Sequence, residues 1–293
     1  MFTQFLGNYL LNEQLVSPEL LSEVLHNLKS TRVKLGVLAI NAGYITADQA
    51  ELVHSEQQRT DKRMGDIMID MGFITKEQLD ELLGSQKCAH LMLGQALIDS
   101  GNMTTSQFAS ALSDYKKQNE ITDSDFNEVS DDKARHLLQN FYNIKGESGH
   151  MIVEYVSLLL KNLIRFVGDD FIPLQSEKIS NYYCTFNSSQ VINYQDSSTL
   201  VVLDADENVF LEIASRFAGE RITVNDDYAQ ASVGEFLNLQ NGLFCVNISD
   251  ETGKELKLEP QTSEYGMKLK HMENAYKIPI SYPFGTANFI IRM

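Results

Sequence analysis

Proline and glycine are sparse in this sequence, at 5 and 17 of 293 residues, and apolar residues make up 43% against 22% charged. That balance excludes a disordered, collagen-like or low-complexity chain and fits a globular protein. Basic residues are also scarce: 24 Lys and Arg face 40 Asp and Glu, a formal net charge of -16. Such a charge repels nucleic acid and anionic membrane at long range, so no nucleic acid is expected as a partner, and an anionic ligand needs a local basic patch. The three cysteines, Cys88, Cys184 and Cys245, have no CxxC spacing. This argues against a zinc site or redox pair and fits a reduced cytoplasm.

Other absences narrow the chemistry. The longest apolar run, Met151 to Val167, is interrupted by Glu154, Lys161 and Arg165, which predicts a core helix and no membrane span. Met1 to Leu20 has no Lys or Arg ahead of its apolar residues and no small-residue cleavage site, so no secretory signal is expected and the location expected is cytoplasmic. His26, His54, His90, His136, His150 and His271 show no HExxH or paired-ligand spacing, and no GxSxG, GxxxxGK[ST] or GxGxxG occurs. No metal and no cofactor of its own is expected, and serine-hydrolase, P-loop and Rossmann chemistry has no local support.

What is present is a repeat. Leu6-Gly7, Leu35-Gly36, Met64-Gly65 and Leu93-Gly94 follow one another at a period of 29 residues without insertion. Gly43, Gly72 and Gly101 share one repeat position, Thr46, Thr75 and Thr104 another three residues on, and Gln49, Gln78 and Gln107 a third. A glycine after a short amphipathic stretch stops a helix in a left-handed turn, and Thr with Gln three residues later is the spacing of a capping box. Ser17-Pro18 does the same work in the first unit, as N-cap and first helical residue. Each unit therefore reads as helix, turn, helix, and four such units predict an all-α N-terminal stack over residues 1–118.

Units two and three resemble the tandem motif of the MshEN family, found at the N-termini of type II secretion and pilus ATPases. Lys34-Leu35-Gly36 runs through Tyr44-Ile45-Thr46 to Gln57, and Arg63-Met64-Gly65 through Phe73-Ile74-Thr75 to Gln86, with five residues, Gln58 to Lys62, between. The resemblance implies cyclic di-GMP as an effector held by Lys34, Leu35, Gly36, Gln57, Arg63, Met64, Gly65 and Gln86. The outer units depart from the motif, with Phe5 and Met92 in the basic position and Leu28 and Tyr115 in the closing position, and read as packing units. Six of the nine bases in residues 1 to 116 fall at Lys29, Arg32, Lys34, Arg59, Lys62 and Arg63. The plainer alternative is a structural stack whose bases are solvated loop charges.

From Glu120 to Asp132 there are six acids, no base and few apolar residues, so little burial is expected and residues 119–134 read as an acidic linker ahead of a second domain, 135–293. A short helix is expected over Ala134 to Tyr142, with 146–149 as a loop, and longer helices over Met151 to Val167, Glu207 to Ala218 and Asp227 to Asn241. Strands are expected at Thr199 to Leu203, Glu255 to Leu258, Tyr276 to Tyr282 and Asn288 to Arg292, with Pro279 marking an exposed edge. This order predicts an α+β domain of helices packed on a largely antiparallel sheet.

On the Asp227 to Asn241 helix, Val233, Leu237, Gln240 and Phe244 share one side, while Glu235 and Asn238 stand together on the other. Asn is a poor mid-helix residue, so that far side is either a solvated face or a site. The run from Phe210 to Gly219 and that from Ala231 to Gly242, with Glu235, Asn238 and Gly242 in a Glu-x-x-Asn…Gly pattern, resemble the CheX and CheC family of chemotaxis phosphatases over about residues 147 to 293. One position departs: Ala231 stands where many members carry Asp or Ser, and Ser232 falls one place late. A single signature resembles CheX more than CheC. The resemblance implies a homodimer through the C-terminal domain and hydrolysis of the aspartyl phosphate of a CheY-like receiver. The receiver would bring its own Mg²⁺ and lysine, Asn238 would hold the attacking water through its carbonyl oxygen, and Glu235 would pair with the receiver lysine. The alternative is a non-catalytic adaptor that binds a receiver or motor component, with the repeats as a protein-interaction stack.

Overall fold

The computed structural model describes all residues except 29–30, 61, 85–87, 128–129, 145–146, 195–196 and 254. Gln86, Lys29 and Gly146, singled out above, lie outside the described residues. The chain divides into two compact units, Phe2–Val129 and Ser130–Met293 together with Met1. Among the described residues no helix is long and apolar enough to cross a membrane.

The N-terminal unit is helical. Its elements are α1 (Phe2–Asn12), α2 (Pro18–Asn27), α3 (Leu35–Asn41), α4 (Ala47–Thr60), α5 (Met64–Asp70), α6 (Lys76–Gly84), α7 (Ala89–Asp99), α8 (Thr105–Gln118) and α9 (Asp123–Asn127). Gly43, Gly72 and Gly101 follow α3, α5 and α7 at φ of +70°, +71° and +74°, a backbone that costs a residue with a Cβ about 1 kcal/mol or more. Each capping box closes in both directions: Gln49, Gln78 and Gln107 accept from the amides of Thr46, Thr75 and Thr104 at 2.7–2.8 Å, and each threonine hydroxyl accepts from its glutamine's amide at 3.2 Å. Ser17 caps α2 through Leu20 N, with Pro18 as its first residue.

The repeated Gly at the second position of α3 and α5 and in the middle of α7 has a packing role. A Cβ on Gly94 would lie 2.1 Å from the Phe108 ring and one on Gly65 would lie 2.8 Å from Leu79. Both partners stand 14 residues on, in the following helix. Ala50 holds that position opposite Gly36, at 3.9 Å. Glycine thus lets the two helices of a pair approach closely, and the side chain opposite decides how full the gap is.

The acidic stretch expected to connect the units is in part packed. Ile121 and Asp125 are buried, and Phe126 of α9 stacks on His90 with ring centroids 3.8 Å apart. Asp125 accepts from the amide and hydroxyl of Thr122 at 2.6 and 2.7 Å, which closes the turn that starts α9. A few apolar residues are enough here because α7 and α8 supply the surface they need.

The C-terminal unit is helices on an antiparallel sheet. Its helices are α10 (Asp131–Tyr142), α11 (Glu147–Phe166), α12 (Glu207–Ala218) and α13 (Asp227–Thr252). Its strands are β1 (Ile172–Pro173), β2 (Glu177–Ile179), β3 (Tyr182–Tyr183), β4 (Phe186–Tyr194), β5 (Ser197–Ala205), β6 (Leu256–Leu258), β7 (Thr262–Tyr265), β8 (Lys268–Leu269), β9 (Ala275–Tyr282) and β10 (Gly285–Arg292). The main sheet runs β1-β9-β10-β5-β4-β6, with β2 also on β9 and β7 also on β4, and every pair is antiparallel. The β3–β8 pair forms a separate small sheet, and Cys184 beside it packs with Val202, Leu269 and Ile290. Val233, Phe236, Leu237 and Phe244 of α13 are buried, as are Phe210 and Ile213 of α12.

Four expectations change. Helix α11 begins at Glu147, so residues 147–149, read as part of a loop, are its first turn. Helix α13 continues 11 residues past Asn241, through Gly242, because Phe244, Cys245 and Ile248 keep its buried stripe going until Gly253 ends it at φ +70°. Pro279 is not at an open edge, since β9 is paired on both sides. Its outer neighbour breaks into β1 and β2 beside the proline, where Leu174 N donates to Pro279 O at 2.9 Å and no amide is asked of the ring. Strand β4, next to the middle of the sheet, was not expected at all, because Asn187, Ser188, Ser189 and Gln190 read as polar although all four are buried. Most of their polar groups find lateral partners: Ser188 Oγ meets Ser263 Oγ at 2.6 Å, Ser189 Oγ meets Thr262 Oγ1 at 3.0 Å, and Asn187 Nδ2 donates to Glu264 O at 2.9 Å, while Asn187 Oδ1 is buried without a partner.

Candidate functional site

Helix α13 carries the Glu235/Asn238 pair. Asp226 caps it, accepting from Tyr228 N and Ala229 N at 3.1 and 3.0 Å, and the face through 228, 231, 235, 238 and 242 recurs at helical spacing. Tyr228 is 51% exposed and Val246, one turn beyond, 55%. Between them stand the small residues Ala231 and Gly242. Ser232 is off this face: it is buried, and its hydroxyl donates to Tyr228 O at 2.8 Å.

Glu235 is exposed, and Gln261 from the β6–β7 loop donates to its Oε1 at 2.8 Å. A Cβ on Gly234 would lie 3.0 Å from Gln261 Cγ, so glycine there leaves room for Gln261 to lie along the helix.

Asn238 is half-buried, and its side chain reaches back to the sheet. Gln190 of β4 donates through Nε2 to Asn238 Oδ1 at 2.9 Å and to the Glu259 backbone oxygen at 2.8 Å. Asn241 Nδ2 donates to Gln190 Oε1 at 2.8 Å, and Tyr155 OH of α11 donates to Asn241 Oδ1 at 2.7 Å. Gln190, Asn241 and Tyr155 are buried, and burial pushes the Tyr155 phenol far above its ordinary range, so it keeps its proton and acts as donor. A backbone carbonyl can only accept, so Glu259 O fixes which end of the Gln190 amide is NH₂. That in turn fixes the sense of Asn238, whose Oδ1 faces Gln190 and uses one of its two lone pairs there. The second lone pair and the Nδ2 group are what Asn238 can offer a water. Beside this chain of bonds, Asn162 Nδ2 donates to Gln240 Oε1 at 2.7 Å, also in the buried interior.

An ordinary solvated helix face does not describe Asn238, although it describes Glu235. Gln190, Asn241, Tyr155 and Gln261 were not read as site residues. Gln190 lies on the strand that polar composition concealed, and a lone Gln between Ser189 and Val191 gives no signal without the strand assignment. Asn241 was visible as a second amide three residues after Asn238, on the side of the helix that turns inward.

In the N-terminal unit, Lys34, Leu35, Gly36, Gln57 and Met64 line one cavity of about 480 Å³, with His54 and Ala50. The cavity lies where Ala50 replaces the bulk of Leu79 and Phe108 at the equivalent positions, and Met64 Cε covers Gly36 at 3.0 Å. Lys34 is the N-cap residue of α3; its amide donates to Gln95 Oε1 at 2.9 Å and its Nζ pairs with Asp99 at 2.6 Å. Gln57 Nε2 donates to Lys62 O at 3.3 Å. Arg63 is exposed at the start of α5, and the space above Gly65 is taken by Leu79, with Leu35 at 3.4 Å. Gln86 is among the residues not described.

In comparisons with known proteins, no family model and no curated protein matches the chain. Solved structures similar to about half of it include CheX- and CheC-like chemotaxis proteins. A CheC-like superfamily protein from Shewanella sp. PV-4 is 20% identical over 48% of this chain and 96% of that one, with a TM-score of 0.43. Chemotaxis protein CheX from Vibrio vulnificus is 18% identical over 48% and 97%, with a TM-score of 0.43. The CheX–CheY–BeF₃–Mg²⁺ complex from Borrelia burgdorferi is 18% identical over 48% and 96%, with a TM-score of 0.42.

Proposed function

We propose that this protein hydrolyses the aspartyl phosphate of a CheY-like receiver domain, with Asn238 holding the attacking water and Glu235 fixing the docked receiver. The observation that carries the reading is an amide of fixed sense, Asn238, held from below by Gln190 and placed next to an exposed carboxylate on a helix face open for docking. Phosphoryl transfer asks little covalent chemistry of a protein: charge on the phosphoryl oxygens must be neutralised and the nucleophile held in line. The receiver's acyl phosphate, Mg²⁺ and lysine supply the first. Water oxygen bonds to phosphorus as the bond from phosphorus to the aspartyl oxygen breaks; the receiver carboxylate and inorganic phosphate are the products, and the water's proton passes to phosphate and solvent. An amide is sufficient for the second, since the Asn238 Oδ1 lone pair that Gln190 leaves free accepts a hydrogen bond from the water without the group itself titrating. Glu235 beside it would attract the receiver lysine through a charge-assisted bond, and Ala231 and Gly242 keep the helix face low enough for close approach.

The test is decay of phosphoryl-aspartate on a panel of CheY-like receivers, with this protein, with its Asn238→Ala variant, and with neither. Loss of one positioned transition-state group predicts a decrease of roughly a hundredfold or more in the variant, with the fold intact. Binding without acceleration by the unaltered chain would favour the adaptor and leave Glu235 as a docking carboxylate only.

A second reading attaches to the N-terminal cavity, because five of the residues expected to hold cyclic di-GMP line it together. Its apolar floor suits a planar base and its Lys34 rim suits phosphate. Cyclic di-GMP titrated into the full chain is expected to give saturable heat, reduced by Arg63→Ala and abolished by Ala50→Leu, which fills the cavity as Leu79 does one repeat later. Absence of heat at high micromolar ligand would assign these residues to packing.

A further inference from the structure

We propose that Gln190 is the positioning residue of the site, the group that sets both the direction and the donor–acceptor sense of the Asn238 amide; this rests on the phosphatase reading of Asn238. A free asparagine at an exposed helix position samples several χ1 and χ2 states and presents oxygen or nitrogen with little preference, because the terminal torsion is broad. Here both protons of Gln190 Nε2 are committed, one to Asn238 Oδ1 at 2.9 Å and one to Glu259 O at 2.8 Å. Only an acceptor can face that NH₂ group, so the asparagine oxygen is drawn to it and the asparagine NH₂ is turned away.

The hold is itself anchored twice. Glu259 O belongs to the backbone immediately after β6, and Asn241 Nδ2 donates to Gln190 Oε1 at 2.8 Å. Gln190 is 2% exposed on a strand whose register with β5 places it opposite Val201. It therefore cannot rotate out to water without stranding Asn241 Nδ2 in the interior and releasing both Asn238 and Glu259 O, and an unpaired buried group is strongly resisted. The asparagine is mobile by nature, and the glutamine beneath it is not. A functional amide supported by a rigid neighbour loses less entropy when a water and a phosphoryl group meet it.

Strand position explains why glutamine is needed. A shorter Asn at 190 would not span from β4 to the α13 side chain, and a Glu would turn an acceptor oxygen toward Asn238 Oδ1 and Glu259 O, which can only accept in that arrangement. The residue must be long, neutral and two-ended, with NH₂ toward Asn238 and oxygen toward Asn241.

The experiment compares kcat and KM for dephosphorylation of CheY-like receivers, charged with phosphoramidate, by the full chain and its Gln190→Met, Gln190→Glu and Asn238→Ala variants. Methionine keeps the bulk and removes all three bonds; Glu keeps the bond from Asn241 and removes only the two donors, so one variant remains if the other does not fold. Both are expected to lower kcat by roughly tenfold to a hundredfold with KM within about twofold, as for a displaced reacting group. Combining Gln190→Met with Asn238→Ala is expected to cost nothing beyond Asn238→Ala alone. Unchanged kcat in folded Gln190 variants, with Asn238→Ala still impaired, would overturn the positioning role and spare the phosphatase reading. No acceleration by the unaltered chain with any receiver would overturn both.

Discussion

The two units of this molecule hold their key glycines and amides by different means. In the N-terminal unit the partners are close in sequence: Thr46 and Gln49 are three residues apart, and Gly94 and Phe108 are fourteen apart. In the C-terminal unit the site is built from residues separated by 48 positions, for Gln190 and Asn238, and by 86, for Tyr155 and Asn241. The first arrangement is repeated and tolerates variation at one copy, as Ala50 shows. The second is a single chain of bonds running from the buried Tyr155 and Asn241 through Gln190 to the half-buried Asn238, in which each link has one partner and no second copy.

That contrast makes Asn241 the most sensitive position to test. Asn241→Ala strands the Tyr155 hydroxyl and Gln190 Oε1 in the interior and leaves a void beside them. A loss of roughly 3–4 kcal/mol is expected, most of it from unpaired polar groups. Amide hydrogen exchange along α11 and α13 would register it, with α3 to α8 unaffected. A loss near zero would mean that water replaces the asparagine, and the contrast between a singular and a repeated arrangement would fail.

The next effect lies in the other unit and divides two positions that look identical in sequence. Gly94→Ala places a methyl 2.1 Å from the Phe108 ring, whereas Gly36→Ala meets only the mobile end of Met64 at 3.0 Å and Ala50 at 3.9 Å. Overpacking is expected to cost Gly94→Ala about 2–3 kcal/mol. For Gly36→Ala the gain in helix propensity, about 1 kcal/mol, offsets the displacement of Met64, so the melting temperature is expected to stay within a few degrees. Equal losses at both positions would show that the cavity beside Gly36 closes readily and is no more open than its equivalents.

How much of this could be read from the sequence follows the same division. The turn glycines and the Thr/Gln boxes are legible because a helix end satisfies its orphan groups locally, within three or four residues. Helix α12 was legible to the residue, because its apolar stripe is regular and Gly219 stops it. Strand β4 was not, because pairing with β7 satisfies Ser188 and Ser189 and pairing with α13 satisfies Gln190, and none of those partners is near in the chain. For the same reason Glu235 and Asn238 could be picked out as a motif, while what holds Asn238 could not. Burial of Ile121 and Asp125 in a stretch with six acids was missed because composition reports the average of a segment, and α9 needs only a few contacts to dock.

The smallest expected effect concerns that docking. His90 is 2% exposed, its Nε2 has no hydrogen-bond partner, and it stacks on Phe126 of α9. Burial foremost, and then the Lys116 ammonium, hold its pKa down to about 4 against the pull of Asp123. An unfolded chain takes up this proton around pH 6.5 and the folded one only near pH 4, so the folded state binds fewer protons in between. Stability from the neutral ring is therefore fully present above pH 6.5 and is lost as pH falls toward 4. Between pH 7 and pH 5 the linkage amounts to roughly 1–2 kcal/mol. His90→Phe keeps an aromatic ring on Phe126 and removes the titration, so in urea unfolding the wild-type chain should weaken relative to this variant by that amount on acidification. Lys116 is also paired with Asp123 and Asn41, and neither bond is altered by the substitution, so the difference between the two chains isolates the imidazole. If the difference were the same at both pH values, His90 would be taking its proton within the folded state, and α9 would be held by its turn at Thr122 and Asp125 instead of by the ring beneath it.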